Sequence, residues 1–129
     1  MAYAAVPTVL IADASADTRL PMRLALDAAG FAVTEAGNGM DAIAALSGHA
    51  FDVVVTDLWM PGADGIAVIQ SIRRIASEVA IFVVTGGGPG LSIASAATLA
   101  QVWGARRVYV RPFDLDDLIG EIAALFPPR

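Results

Sequence analysis

Four polar residues stand directly after apolar runs of strand length: Asp13, Asp57, Thr85 and Arg111. They supply two carboxylates, a hydroxyl and a guanidinium that stays protonated at any accessible pH. Carboxylate oxygens are hard ligands of the kind that bind Mg²⁺, which also takes water and phosphate oxygens. If the fold brings the four side chains together, we expect a site that holds a divalent metal and an anionic group.

The elements that position these residues alternate along the chain. Apolar, partly β-branched runs predict five strands, over residues 8–12, 31–35, 51–56, 79–84 and 106–110. Stretches of helical period follow each run: from Ser15 or Asp17 to Gly30, from Asn38 or Asp41 to Leu46, over 64–75, over 91–103, and from Asp114 to Phe126. Five strand–helix repeats predict a parallel sheet covered on both faces. In such sheets ligands bind at the carboxyl ends of the strands, where all four polar residues lie.

The first helix carries two more specific expectations. Leu20, Leu24 and Ala28 are spaced to share one apolar face. Pro21 is expected in the first turn, because backbone N–H groups there lack helical partners and a proline costs little.

Composition narrows the class of protein. With 129 residues, 57% of them hydrophobic, the chain suits one domain over 1–129 with a core of about 8–126. A net charge of −5 argues against nucleic-acid binding, and the absence of cysteine excludes thiol chemistry. The sequence shows no basic leader and no uninterrupted apolar stretch long enough to span a membrane. We therefore expect a cytoplasmic protein that does not enter the membrane.

The segment around Asp57 resembles a known signalling family. Asp57 to Gly65 reads DLWMPGADG and is similar to the D-x-x-M-P-x-x-D-G block of response-regulator receiver domains. Arg111-Pro112-Phe113 is similar to the K-P-F of that family, and the resemblance covers essentially the whole chain. It implies a flavodoxin-like, doubly wound sheet with strand order 2-1-3-4-5. It also implies that the aspartate ending the third strand accepts a phosphoryl group from a histidine kinase.

Carried over residue by residue, the resemblance makes Asp57 the phospho-acceptor. Asp13, Asp57 and the backbone carbonyl of Trp59 would bind Mg²⁺. Thr85 would donate a hydrogen bond to a phosphoryl oxygen, and Arg111 would replace the family's lysine. A carboxylate can attack a phosphoryl donor when metal and cation neutralise the transferring oxygens, so the chemistry agrees with the resemblance. The implied partners are a histidine kinase or phosphotransfer protein and a downstream protein target.

The site departs from the family pattern at three positions. Two adjacent acids normally follow the first strand. Here Asp13 matches the first and Ala14 the second, or, after a one-residue slip, Asp13 matches the second. Either way one carboxylate is missing, which predicts weaker Mg²⁺ binding. Arginine at 111 presents a planar fork rather than a point charge. The family's switch aromatic falls at Val108, and strand alternation directs the neighbouring Tyr109 to the other face.

The fourth crossover is unusual in composition. Segment 86–90 is glycine-rich but lacks the Lys and Ser/Thr of a P-loop, which favours a flexible connection over nucleotide binding. Segment 91–103 contains no charged residue, which predicts that it lies in a protein interface, most simply a homodimer.

Three functions compete. The leading one is a stand-alone phosphorylated receiver that signals through protein partners. Its alternative is a degenerate receiver that serves as a phosphorylation-independent interaction module. An aspartyl-nucleophile phosphatase needs an acid two residues after the nucleophile, where Trp59 stands, so we do not expect an enzyme.

Overall fold

The computed structural model describes residues 6–60, 65–75, 78–86, 98, 101 and 103–127. The predicted helix over 91–103 and the glycine-rich segment lie almost entirely outside these residues. Strands and helices follow in the order β1 (Thr8–Ala12), α1 (Ala16–Ala28), β2 (Ala32–Ala36), α2 (Gly39–Gly48), β3 (Val53–Thr56), α3 (Gly65–Ile75), β4 (Ala80–Thr85), β5 (Arg107–Val110) and α4 (Leu115–Ala123). None of the helices described has the length and apolar character needed to cross a bilayer.

The five strands form one parallel sheet in the order β2-β1-β3-β4-β5, which confirms the predicted topology. The register places Ala12 opposite Thr56, and Thr85 opposite Val110. Backbone hydrogen bonds continue one residue beyond the strands, from Asp57 N to the Ala12 carbonyl (2.9 Å) and from Arg111 N to the Thr85 carbonyl (2.9 Å). The residues that follow β1, β3 and β5 therefore lie along one edge of the sheet.

Hydrophobic side chains are buried on both faces of the sheet. Alternate residues of β1 point to opposite sides, so Leu10 packs with α2 and α3 while Ile11 packs with α1 and α4. The central strand β3 is buried at every position, as a parallel strand covered by helices should be. A polar side chain can therefore reach solvent mainly at the strand ends.

The predicted apolar face of α1 is wrong. Leu20 and Leu24 are 53% and 59% exposed and Ala28 is also exposed, whereas Met22 and Leu26 are buried against the sheet. The two pairs are offset by two residues, which is about 200° around a helix, so they occupy opposite faces. Both faces are apolar, and the periodicity alone did not distinguish the buried one.

Pro21 is likewise not in the first turn of α1. The helix begins at Ala16 after the N-cap Ser15, one of the two predicted caps, so Pro21 is its sixth residue. Asp13 sets this early start, because its carboxylate accepts a hydrogen bond from Ser15 N (2.9 Å). Proline there removes the N–H that would bond the carbonyl four residues earlier. The start of the helix is thus hydrogen-bonded to the residue that follows β1.

Candidate functional site at the carboxyl edge of the sheet

Asp57 follows the last residue of β3 and is 8% exposed. Its Oδ1 accepts a hydrogen bond from Trp59 N (3.2 Å), and its Oδ2 accepts one from Arg111 Nη1 (3.1 Å). Burial raises the pKa of this carboxyl above its ordinary range, although the Trp59 N–H and the Arg111 guanidinium act in the opposite direction. The carboxylate is held in place yet remains at the rim of the sheet.

Asp13 lies beside Asp57 at the end of β1 and is 3% exposed. Its Oδ2 accepts a hydrogen bond from Arg111 Nη2 at 2.5 Å, while Oδ1 accepts the one from Ser15 N. The structure therefore confirms that Asp13, Asp57 and Arg111 meet. One guanidinium contacts both carboxylates.

Thr85 ends β4 and is fully buried. Its carbonyl accepts the hydrogen bond from Arg111 N, so its backbone adjoins that of the arginine. Strand alternation places the Thr85 side chain on the same face as Val83, toward α2 and α3. The predicted position of Thr85 at the strand ends is thus observed.

Gly65 positions the segment that carries Asp57. The first residue of α3 donates a hydrogen bond from its N–H to the Leu58 carbonyl (2.9 Å). A Cβ at this position would lie 2.1 Å from the Asp57 carbonyl oxygen and 2.6 Å from Leu58 Cα. Only glycine permits this approach of α3 to the backbone that follows β3. This requirement explains the last residue of the D-x-x-M-P-x-x-D-G block.

Arg19, Arg23 and Glu35 form a second polar cluster that sequence reasoning did not assign. Arg19 donates a hydrogen bond to the Asp13 carbonyl (2.5 Å) and pairs with Glu35 (2.9 Å), while Arg23 also pairs with Glu35 (2.7 Å). The hydrogen bond from Arg23 and, to a smaller extent, the one from Arg19 hold the pKa of Glu35 below its ordinary value. The two arginines four residues apart in α1 were the available signal. The cluster anchors the loop that carries Asp13.

The comparison with known proteins agrees with this geometry. The sequence model of the response regulator receiver domain matches residues 9–123. The chain belongs to the response regulator receiver family. Receivers are signalling modules of two-component phosphorelays.

The similar proteins include regulators of very different length. The chain is 33% identical over 115 residues to the C4-dicarboxylate transport transcriptional regulatory protein DctD of Rhizobium meliloti, covering 89% of this chain and 24% of that protein. It is 24% identical over 119 residues to sporulation initiation phosphotransferase F of Bacillus subtilis, covering 92% and 93%. The crystal structure of a Pseudomonas putida response regulator receiver protein superposes with a TM-score of 0.84 at 26% identity, covering 95% and 99%. The chain thus spans about a quarter of the length of DctD and nearly all of the phosphotransferase.

Receivers generally bind Mg²⁺ at their acidic pocket, and carboxylates suit this ion. Asp13 and Asp57 would hold it here, with the Trp59 carbonyl as the predicted third ligand. In the structure, however, both carboxylates bind Arg111, and Ala14 is exposed. The described residues contain no group of three or more His, Cys, Asp or Glu side chains that could hold a metal. Arg111 thus contacts the Oδ2 atom of each of the two carboxylates that would hold the ion.

The aromatic residue of β5 lies on the side of the sheet away from Thr85, as predicted. Val108 packs with the cluster of α2 and α3, whereas Tyr109 belongs to the cluster of α1 and α4. The Tyr109 ring stacks at a tilt on Phe113, with centroids 5.5 Å apart, and burial raises the pKa of its phenol. Among the described residues its hydroxyl finds no hydrogen-bond partner. Tyr109 therefore packs as a core residue of the face opposite Thr85.

Proposed function

We propose that Asp57 accepts a phosphoryl group and that the chain signals by this modification within a phosphorelay. The observation that carries the proposal is the contact of Arg111 with the Oδ2 of a buried carboxylate at the end of β3. A guanidinium in this position can bind the oxygens of a group transferred to that carboxylate through two parallel hydrogen bonds.

The reaction is a displacement at phosphorus. A carboxylate oxygen of Asp57 forms the new P–O bond as the P–N bond to a phosphohistidine of a histidine kinase or phosphotransfer protein breaks. The imidazole leaves with the electron pair of that bond and takes a proton. Protein catalysis of such a step consists mainly of positioning and charge neutralisation. Arg111 neutralises charge on the phosphoryl oxygens, Thr85 donates a hydrogen bond to one of them, and bound Mg²⁺ would supply further positive charge.

The comparisons support this role in two ways. Residues 9–123, matched by the receiver domain, include Asp13, Asp57, Thr85 and Arg111. A relative of nearly the same length is called a phosphotransferase, so a chain of this size can take part in phosphoryl transfer.

The downstream target is a protein recognised by the phosphorylated form. Pairing of segment 91–103 in a homodimer remains a prediction outside the described residues.

Intact-mass measurement after incubation with acetyl phosphate and Mg²⁺ tests the proposal. We expect a product heavier by one phosphoryl group that is absent from Asp57→Asn. Asp52→Asn is the matched control, because Asp52 is an exposed aspartate that directly precedes β3, at the end opposite Asp57, and binds Thr8. This variant should be modified like the wild type. Phosphorylation that persists in Asp57→Asn would refute the site assignment.

A second function is favoured by one observation. Ala14 leaves the pocket one acid short, and every oxygen of Asp13 and Asp57 already accepts a hydrogen bond from the chain, as expected of an interaction module that no longer binds metal and phosphoryl group. Such a module would give no adduct with acetyl phosphate and would not bind beryllofluoride, a mimic of the phosphoryl group. Uptake of either reagent at Asp57 would exclude it.

A further inference from the structure

Arg111 occupies the space between the two carboxylates of the pocket. Its Nη2 lies 2.5 Å from Asp13 Oδ2 and its Nη1 lies 3.1 Å from Asp57 Oδ2. The two acids are almost fully buried, whereas the arginine side chain is 31% exposed. A single cation thus enters from the surface and contacts both of them.

Every carboxylate oxygen of the pair accepts a hydrogen bond from the chain itself. The Oδ1 atoms of Asp13 and Asp57 accept from the backbone N–H groups of Ser15 and Trp59, respectively. The Oδ2 atom of each acid accepts from the guanidinium. Bridging two separate acids in this way depends on the planar fork of arginine, which carries several N–H groups on different nitrogens. A lysine presents its charge on one nitrogen and cannot span two acids with the same geometry.

We propose that Arg111 is the resident cation of this pocket and that Mg²⁺ binds only by displacing its guanidinium from Asp13 and Asp57. This proposal rests on the proposed function, since it takes the pocket to be the site of phosphoryl transfer. The competition itself is a property of the unphosphorylated chain and can be measured without any phosphoryl donor.

Charge explains why the two cations exclude each other. Asp13, Asp57 and Arg111 together carry one negative charge, and the two acids alone carry two. A divalent ion that entered beside the guanidinium would meet a like charge within the same few ångströms. Ala14 offers no carboxylate that could offset this repulsion. Removing the unit charge should tighten Mg²⁺ binding by about tenfold or more, even with the screening of bulk water.

The experiment is a Mg²⁺ titration of Arg111→Gln and Arg111→Lys in a Trp103→Phe background. Trp59 then reports binding by fluorescence, since it lies two residues from Asp57 and its backbone N–H donates to that carboxylate, and calorimetry provides a second measurement. We expect the tightest binding in Arg111→Gln, weaker binding in Arg111→Lys and the weakest in the parent. Thermal unfolding with and without Mg²⁺ checks folding, and Mg²⁺ should raise the Tm of Arg111→Gln more than that of the parent.

Arg107→Gln is the matched control. It removes the same charge from the first residue of β5, the strand that Arg111 directly follows, but Arg107 is exposed, pairs with Glu121 and lies about 13 Å along the chain direction from Arg111. This variant should bind Mg²⁺ like the parent. Unchanged or weaker binding in folded Arg111→Gln, or an equal gain in Arg107→Gln, would overturn the proposal. Because no phosphoryl donor is present, these results are independent of whether Asp57 is phosphorylated.

Discussion

Alanine at Gly65 would place a methyl group against the backbone that carries Asp57, and we expect it to destabilise the fold. The added carbon would lie 2.1 Å from the Asp57 carbonyl oxygen, 2.6 Å from Leu58 Cα and 2.9 Å from the Asp57 carbonyl carbon. Ordinary contacts between such atoms are about 3.5–4.0 Å apart, so α3 or the Asp57–Leu58 backbone must move by more than an ångström. All three neighbours are backbone atoms, which cannot change rotamer to make room.

The size of the change in the free energy of unfolding follows from two opposing effects. Overpacking of a well-packed site costs about 1–3 kcal/mol, occasionally more. Alanine is favoured over glycine within a helix by about 1 kcal/mol, but Gly65 is the first residue of α3 and gains less. We therefore expect a net loss of about 2 kcal/mol in the free energy of unfolding, which lowers the Tm of a chain of this size by about 6–10 °C.

Thermal unfolding followed by circular dichroism measures this effect, with Gly120→Ala as the matched control. Gly120 lies inside α4, and a Cβ there would have no heavy atom within 4 Å. That variant should gain about 0.5–1 kcal/mol from helix propensity alone. If Gly65→Ala proves as stable as Gly120→Ala, the close approach of α3 to the Asp57 backbone is not a constraint and our account of this glycine is wrong.

Two further predictions concern α1. Met22→Ala should cost about 2–4 kcal/mol because its side chain is buried, whereas Leu20→Ala should change stability by less than about 0.5 kcal/mol. Equal losses in urea unfolding would contradict the assignment of faces. Arg23 and Arg19 lower the pKa of Glu35, so its contribution to stability is present above the ordinary value of 4.5 and is lost as pH falls through the lower folded value. Glu35→Gln should therefore flatten the acid side of the Tm–pH profile, and an unchanged slope would contradict this.

Local patterns were sufficient for most of the fold. The apolar, partly β-branched runs predicted all five strands, and the alternation with helical segments predicted a parallel sheet. Because parallel strands present their carboxyl ends at one edge, Asp13, Asp57 and Arg111 could be assigned to a common site. Tyr109 was also assigned to the correct face, since strand alternation is a property of the backbone. The strand order came only from the resemblance to receivers.

Other features depended on contacts between distant parts of the chain. The buried face of α1 could not be chosen from two equally apolar faces, because the choice is made by packing on the sheet. The start of α1, by contrast, involves a local contact, the hydrogen bond that Asp13 accepts from Ser15 N two residues later; the sequence had left Ser15 and Asp17 as alternative caps, and the cap at Ser15 places Pro21 beyond the first turn.

The site also combines features that local sequence predicts with features that tertiary contacts decide. Its residue types and their places at strand ends are local properties that the amino-acid sequence determines by itself. That one guanidinium bridges both acids is decided by the tertiary structure, because Arg111 is 54 residues from Asp57 and 98 from Asp13 along the chain. The close approach that requires Gly65 also arises only when α3 packs against the end of β3. Such contacts depend on how the helices and strands are arranged in space, and no local spacing of residues encodes that arrangement.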